Sequence, residues 1–203
     1  IWKLVSFNNL LYIHTEDSLF KTKGKQSMQL ADGSQSYIGS GDIFSQDPDE
    51  LVQTDMGYAG TNCQWSSLVT KHGYFCVDYR NSKVFLVTDT IYEISKLGLE
   101  EWFNINIPYA LEPYGLPAGI DNPIQGIGLH SVWDNAHDRI LLTKRDIVPT
   151  DAFVALAAVG VADADRIIWD EESEHFLSSP SSGSRIIEWT NSYYFTATGW
   201  TVS

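Results

Sequence analysis

The stretch Trp133-Asp134-Asn135-Ala136-His137-Asp138-Arg139-Ile140-Leu141-Leu142 decides the fold, because the chain writes the same pattern two more times. Aligning on an Asp followed five residues later by a cation or histidine gives Val77-Asp78-Tyr79-Arg80-Asn81-Ser82-Lys83-Val84-Phe85-Leu86 and Trp169-Asp170-Glu171-Glu172-Ser173-Glu174-His175-Phe176-Leu177-Ser178. Each copy is an apolar residue, an Asp, a polar loop, a basic residue and a second apolar run. That order predicts a β-hairpin with a four-residue loop, in which the Asp carboxylate accepts backbone N–H groups and closes the turn. The basic residue beyond the loop is placed to pair with the Asp, and an exposed pair of that kind adds only about 0.2–1 kcal/mol. Such a pair sets register more than stability.

Working outward, Leu4-Val5-Ser6-Phe7 and Leu10-Leu11-Tyr12-Ile13 flank Asn8-Asn9, a dipeptide suited to the positive φ angles of a tight hairpin turn. Val84-Phe85-Leu86-Val87 is apolar at every position, which predicts a strand buried on both faces. Further strand-like stretches, Thr90 to Ser95 and Ser184 to Trp189, follow the first and third copies. Several short strands per unit, recurring every ~40–55 residues, is the rhythm of a propeller blade. The expectation is an all-β chain, residues 1–203 forming a single β-propeller-like domain of repeated hairpin blades; a β-sandwich is the alternative, but it has no reason to repeat the hairpin chemistry. Two helical insertions interrupt the strands. One is expected over Lys96 to Asn104, with Leu97, Leu99, Trp102 and Phe103 as its apolar side. The other is expected over 151–159, with Asp151 as N-cap, four alanines inside and Gly160 as the stop. Residues 108–127 hold four of the seven prolines and are expected to be a Pro/Gly-rich loop. Both chain ends read as strands in progress, which suggests a fragment of a longer protein.

Composition limits the functions open to the chain. Acidic residues outnumber basic ones 26 to 13, for a formal charge of −13, and no Lys/Arg-rich run occurs. Sequence-specific or phosphate-driven nucleic-acid binding needs clustered cations and is not expected. An acidic surface instead suits a wall that must not hold passing DNA. No apolar run approaches the ~20 residues of a bilayer-spanning helix. Cys63 and Cys76 form no metal-binding spacing, and Cys76, inside Tyr74-Phe75-Cys76-Val77, is expected in the core.

No catalytic signature is present: no nucleophile elbow, no H-E-x-x-H, no phosphate-binding loop and no sialidase-type Asp box. The expectation is therefore no catalytic residue, no cofactor and no metal. Asp47, Asp49, Glu50 and Asp55 offer oxygen ligands of the kind calcium takes, but their spacing fits no EF-hand and Pro48 points to a solvated loop. Asp134, His137 and Asp138 look like a metal triplet until the other copies are compared, where Asp78/Asn81/Ser82 and Asp170/Ser173/Glu174 stand in the same places. His72, before Gly73, is expected in a turn. Trp189, Tyr193, Tyr194 and Trp200 are candidates for sugar faces or partner subunits, with packing the commoner use of such side chains.

A long ordered series adds to this reading: Gly41-Asp42-Ile43-Phe44, Gly57-Tyr58-Ala59-Gly60-Thr61 to Gln64-Trp65, His72-Gly73-Tyr74-Phe75 to Asp78, Lys83 to Leu86, Glu93-Ile94-Ser95 to Gly98, Trp102-Phe103, Gly128 to Asp134, Arg139 to Lys144, and Gly199 to Ser203. It resembles the tail stabilisation proteins of crAss-like and related short-tailed phages, relatives in role of tail nozzle or tubular proteins. The resemblance implies a non-enzymatic virion protein, assembled in the host cytoplasm, whose copies form a ring that continues the portal channel for DNA exit. Its partners would be other copies of itself, a portal or adaptor, and tail-fibre proteins. The Ala-rich insertion and the two cysteines depart from that series. A carbohydrate-binding or carbohydrate-active propeller and a generic protein-interaction propeller are the alternatives.

Overall fold

The computed structural model describes residues 1–23, 26–29, 35–38, 46–52, 58–115, 127–158, 166–178 and 183–203. They form two compact units, Ile1–Asn104 and Ile105–Ser203.

The first unit contains β1 (Lys3–Phe7), β2 (Leu10–His14), β3 (Leu19–Lys21), β4 (Gln26–Gln29), β5 (Gln35–Ile38), β6 (Asp49–Glu50), β7 (Leu68–Thr70), β8 (Gly73–Asp78), β9 (Lys83–Val87) and β10 (Ile91–Glu93). They pair antiparallel as β1-β2-β3-β6, as β10-β9-β8-β7 and as the hairpin β4-β5. Asn8 and Asn9 take φ of 49° and 61°, and Phe7 pairs with Leu10, so the first hairpin turns as its sequence predicts. Val5, Tyr12 and Leu19 from the first sheet form one buried cluster with Tyr74, Cys76, Phe85 and Val87 from the second. In β9, whose apolar run predicts cover on both faces, Val84, Phe85 and Val87 are buried and Leu86 is half-buried, and all six residues of its neighbour β8 are buried. His72 lies in the two-residue turn before Gly73, where Thr70 pairs with Gly73.

A strap of backbone joins the two sheets. Ala59 bridges to Ser18, the Thr61 N–H donates to Thr15 O at 3.0 Å, and Gly60 lies against the Glu16–Asp17 backbone. A Cβ on Gly60 would stand 2.2 Å from Glu16 O, so only glycine permits this approach.

The expected helix over Lys96 to Asn104 divides. A 3-10 turn covers Ile94–Lys96 and helix α1 covers Glu100–Asn106, with Gly98 at φ 109° between them. Leu97 is 84% exposed and only Phe103 of the proposed apolar side is buried in the helix, so the periodicity spanned a break that Gly98 makes.

The second unit holds β11 (Gly128–Asp134), β12 (Arg139–Pro149), helix α2 (Asp151–Ala157), β13 (Ile167–Asp170), β14 (His175–Ser178), β15 (Arg185–Ile187) and β16 (Phe195–Val202). Its sheets are β11-β12-β16 and β13-β14-β15, both antiparallel. Phe153 of α2 is fully buried and packs its ring against Tyr114, Phe176 and Phe195, with Trp169 and Trp189 completing the aromatic core. Thr150, and not Asp151, is the N-cap of α2: its Oγ1 accepts the Phe153 N–H, while Asp151 sits in the first turn where its charge favours the helix dipole. Gly160, its expected stop, and residues 116–126 of the Pro/Gly-rich loop lie outside the described residues. Among the described residues the chain is all-β in character with two short α-helices, and its sheets are small and antiparallel with no closed propeller.

Candidate functional site

The repeated hairpin is one structure three times. Asp78 pairs with Lys83, Asp134 with Arg139 and Asp170 with His175, each across a four-residue loop. The fourth loop residue, Ser82, Asp138 or Glu174, takes φ 53° in every copy. Each Asp accepts N–H groups of its own loop: Asn81 N at 3.0 Å, Ala136 N and His137 N at 3.1 and 3.3 Å, and Ser173 N at 3.1 Å. Closing the turn is thus the common task of the three carboxylates.

The expected Asp–cation pair forms in one copy. Arg139 Nε donates to Asp134 at 3.0 Å, and His137 Nδ1 lies 2.8 Å from the same carboxylate. Lys83 turns instead to Glu93, at 3.5 Å, and His175 Nδ1 meets Ser173 O. The reason in the first copy is a better partner: Glu93 also accepts from Tyr58 at 3.0 Å and pairs with Lys96 at 2.8 Å. Burial opposes ionisation of Glu93, but Lys96, Tyr58 and Lys83 outweigh it and hold the carboxyl below its ordinary range.

Asp78 differs from its two equivalents. It is 1% exposed, and its second oxygen accepts the N–H of Ala59, nineteen residues away, at 3.0 Å. Asp78 therefore closes a turn and anchors the strap. Burial raises its pKa despite the hydrogen bonds of Asn81 and Ala59, whereas His137 lowers that of Asp134 and Ser173 that of Asp170. One loop geometry gives opposite electrostatics because only one copy is dry.

Several of the other sequence candidates have structural employment, while Asp47 is exposed. Asp49 pairs with Lys23 at 2.8 Å and Glu50 accepts from the Ser18 hydroxyl; Asp55 lies outside the described residues. Among the described residues no group of three or more His, Cys, Asp or Glu is placed to hold a metal ion. Cys63 and Cys76 are free and buried. Trp189 belongs to the aromatic core, Tyr193 is exposed, and Trp200 Nε1 donates to Asn106 O at 3.3 Å.

Two polar features escaped sequence reading. His14 is fully buried with Nε2 2.6 Å from the phenolic oxygen of Tyr74, and burial together with the Lys3 charge pushes its pKa down to about 3. Lys144 and Asp146, 4% and 6% exposed, pair at 2.8 Å; Lys144 also donates to the carbonyls of Asn106 and Pro108, and Asp146 accepts from Ala110 N. This pair fastens residues 106–110 to β12. The signal was present as two opposite charges two residues apart, hence on one face, in an otherwise strand-like run.

A half-open groove of about 480 Å³ runs beside β16, between Ile147 and Ala197 on the sheet and Glu188, Trp189 and Thr190 on the facing turn. The chain matches no protein-family model and no curated protein. Among the described residues no helix is long and apolar enough to cross a membrane.

Proposed function

We propose that this chain is a structural module of a phage tail, part of a ring-forming nozzle or stabilisation subunit that continues the portal channel, with its sheets acting as propeller-like blades. The observation that carries the reading is how the repeat uses its chemistry: each carboxylate at the repeated position is spent on holding the fold, closing its own turn in every copy and, in Asp78, anchoring the strap as well, and this supports shape and surface as the working parts. Apolar residues on the outer faces of all four larger sheets support it, among them Leu4, Tyr92, Val132 and Ile168. In β13-β14-β15, Ile168, Leu177 and Ile186 are cross-strand neighbours and form a row across the sheet. Rows of that kind suit stacking against another blade or subunit. The formal charge of −13 suits a wall along which DNA must slide.

Native mass spectrometry and electron microscopy of the intact protein test this. Rings that bind a portal-type partner are expected. A strictly monomeric protein that hydrolyses a glycan overturns the proposal.

A further inference from the structure

The strap continues through Ala59-Gly60-Thr61-Asn62-Cys63-Gln64-Trp65-Ser66-Ser67, a segment with no charged residue that ends in a 3-10 turn over Gln64–Ser66. All of it is buried except Gln64 and Trp65. It is held at a few points and not by a ladder. Asp78 of β8 accepts the Ala59 N–H at 3.0 Å, Thr15 O accepts the Thr61 N–H at 3.0 Å, and Ala59 makes an isolated bridge to Ser18. At the far end Lys3 of β1 donates to Gln64 O at 2.6 Å and Ser67 O at 2.8 Å. The Tyr74 phenol hydrogen-bonds both the Ser67 side chain and His14, so the segment closes over the His14–Tyr74 pair.

We propose that residues 59–67 form an acid-released latch, which opens away from the two sheets when His14 takes up a proton while the sheets stay packed on each other. The reason is where the charge would land. His14 is 0% exposed, so a proton on its ring meets no water. From β1 the ring faces Lys3, whose ammonium is the clamp on Gln64 and Ser67, and a second cation beside it is repelled. β3 sets the apolar Leu19 opposite His14. β8 brings Tyr74, with Cys76 and Asp78 at the next alternate positions of the same face, and Asp78 is already engaged by Ala59 and Asn81. In the turn after β2, Glu16 and Asp17 are exposed and Asp17 pairs with Arg80. Among the described residues only the Ala59 backbone favours the charged ring. Opening the latch hydrates His14 and separates it from a clamped Lys3.

The sheets have their own contact and do not need the latch to stay together: Val5, Tyr12 and Leu19 pack on Tyr74, Cys76, Phe85 and Val87. The pH window follows from the two protonation sites. Closed, the ring stays neutral down to about pH 3; open, it takes its ordinary value of about 6.5, so the open population rises about tenfold for each pH unit below that. Asp78 works in the other direction. Burial raises its closed-form value, so its protonation favours closing, and the rise levels off once the pH passes that value. Between pH 7 and pH 5 the open form gains about 10–25-fold and remains the minor one. The inference stands apart from the tail reading, since it rests on the first unit alone.

Amide hydrogen exchange on the intact protein tests the latch, with each rate taken relative to unstructured peptide at the same pH. Protection of the Ala59 and Thr61 amides is expected to fall about 10–25-fold from pH 7 to pH 5, to lie below that of the β8–β9 ladder, and to ignore low urea, the mark of local opening. In His14→Gln, whose side chain does not titrate, their protection should be the same at both pH values. A second readout needs no variant. Cys63 lies in the latch and Cys76 on β8, both buried, so dithiodipyridine should label Cys63 ahead of Cys76 and gain on free cysteine by the same factor as the pH falls. Ala59 and Thr61 protection that is unchanged from pH 7 to pH 5, exchange that matches the ladder in size and urea response, a fall that persists in His14→Gln, or equal labelling of the two cysteines each overturns the proposal. None of these results touches ring assembly, on which the tail reading depends.

Discussion

Replacing Asp78 with Ala separates the two tasks of that carboxylate. The substitution removes the acceptor of Asn81 N at 3.0 Å, Asn81 Nδ2 at 2.8 Å and Ala59 N at 3.0 Å. Asn81 is half-buried, so water can replace what it loses, at about 1 kcal/mol. Ala59 is 1% exposed, and a stranded dry N–H costs about 1–3 kcal/mol more. The total is about 3 kcal/mol, a large share of a domain's net stability. Asp170→Ala takes away turn bonds alone, in a loop open to water, and should shift the urea midpoint clearly less. Denaturation midpoints for the two variants, with amide hydrogen exchange at Ala59, make the comparison. Equal midpoint shifts, or an Ala59 amide whose exchange is unchanged in Asp78→Ala, would refute the claim that Asp78 anchors the strap.

The pH dependence of Asp78 carries a definite sign: because burial raises its folded pKa, its contribution to stability is present below the ordinary Asp range and declines as pH rises through the raised value. The stability of the wild type relative to Asp78→Asn should therefore fall as pH rises, measured from urea midpoints across the acid range. His14 runs the other way. With a folded pKa of about 3 it favours the folded state above its unfolded value of about 6.5, and that support is lost as pH falls; its imidazole NMR signals should stay unprotonated until near the lower value. Gly60→Ala should destabilise by about 1–3 kcal/mol, seen as a lower melting temperature, because its Cβ would meet backbone and not a flexible side chain. Lys144→Met should cost about 3–5 kcal/mol by stranding Asp146, and Lys144→Met/Asp146→Leu should cost less than that single change, which a double-mutant cycle in urea measures.

The hairpins were legible because their signal is local. An Asp, four loop residues and a cation contain everything the turn needs, and comparison of copies showed that Asp134, His137 and Asp138 belong to a turn. The buried run of β8 and β9 was legible for a similar reason, since apolar residues at consecutive strand positions need cover on both faces. What remained hidden depends on distant chain. The Ala59 N–H that distinguishes Asp78 from Asp170 comes from another loop, and Lys83 abandons Asp78 because Glu93 collects Tyr58 and Lys96. Lys144 looked like any strand cation; the carbonyls of Asn106 and Pro108 that bury it are nearly forty residues away. The helix near Leu97 was misplaced by two residues' worth of apolar coincidence around Gly98.

The shared φ of 53° at Ser82, Asp138 and Glu174 has an engineering consequence. Three different side chains tolerate a left-handed conformation that each would rather avoid, so the shape of the loop is held by its frame and not by its lettering. The two loops that face water are exchangeable cassettes: residues 135–138 and 171–174 can be swapped, or diversified as a library, while the flanking Asp and the strand register stay in place, whereas Tyr79, 3% exposed, ties the first loop to the core. Glycine at the fourth position would relieve the strain in all three at once, leaving a sturdier scaffold on which the first three residues of the two exposed loops are free to vary.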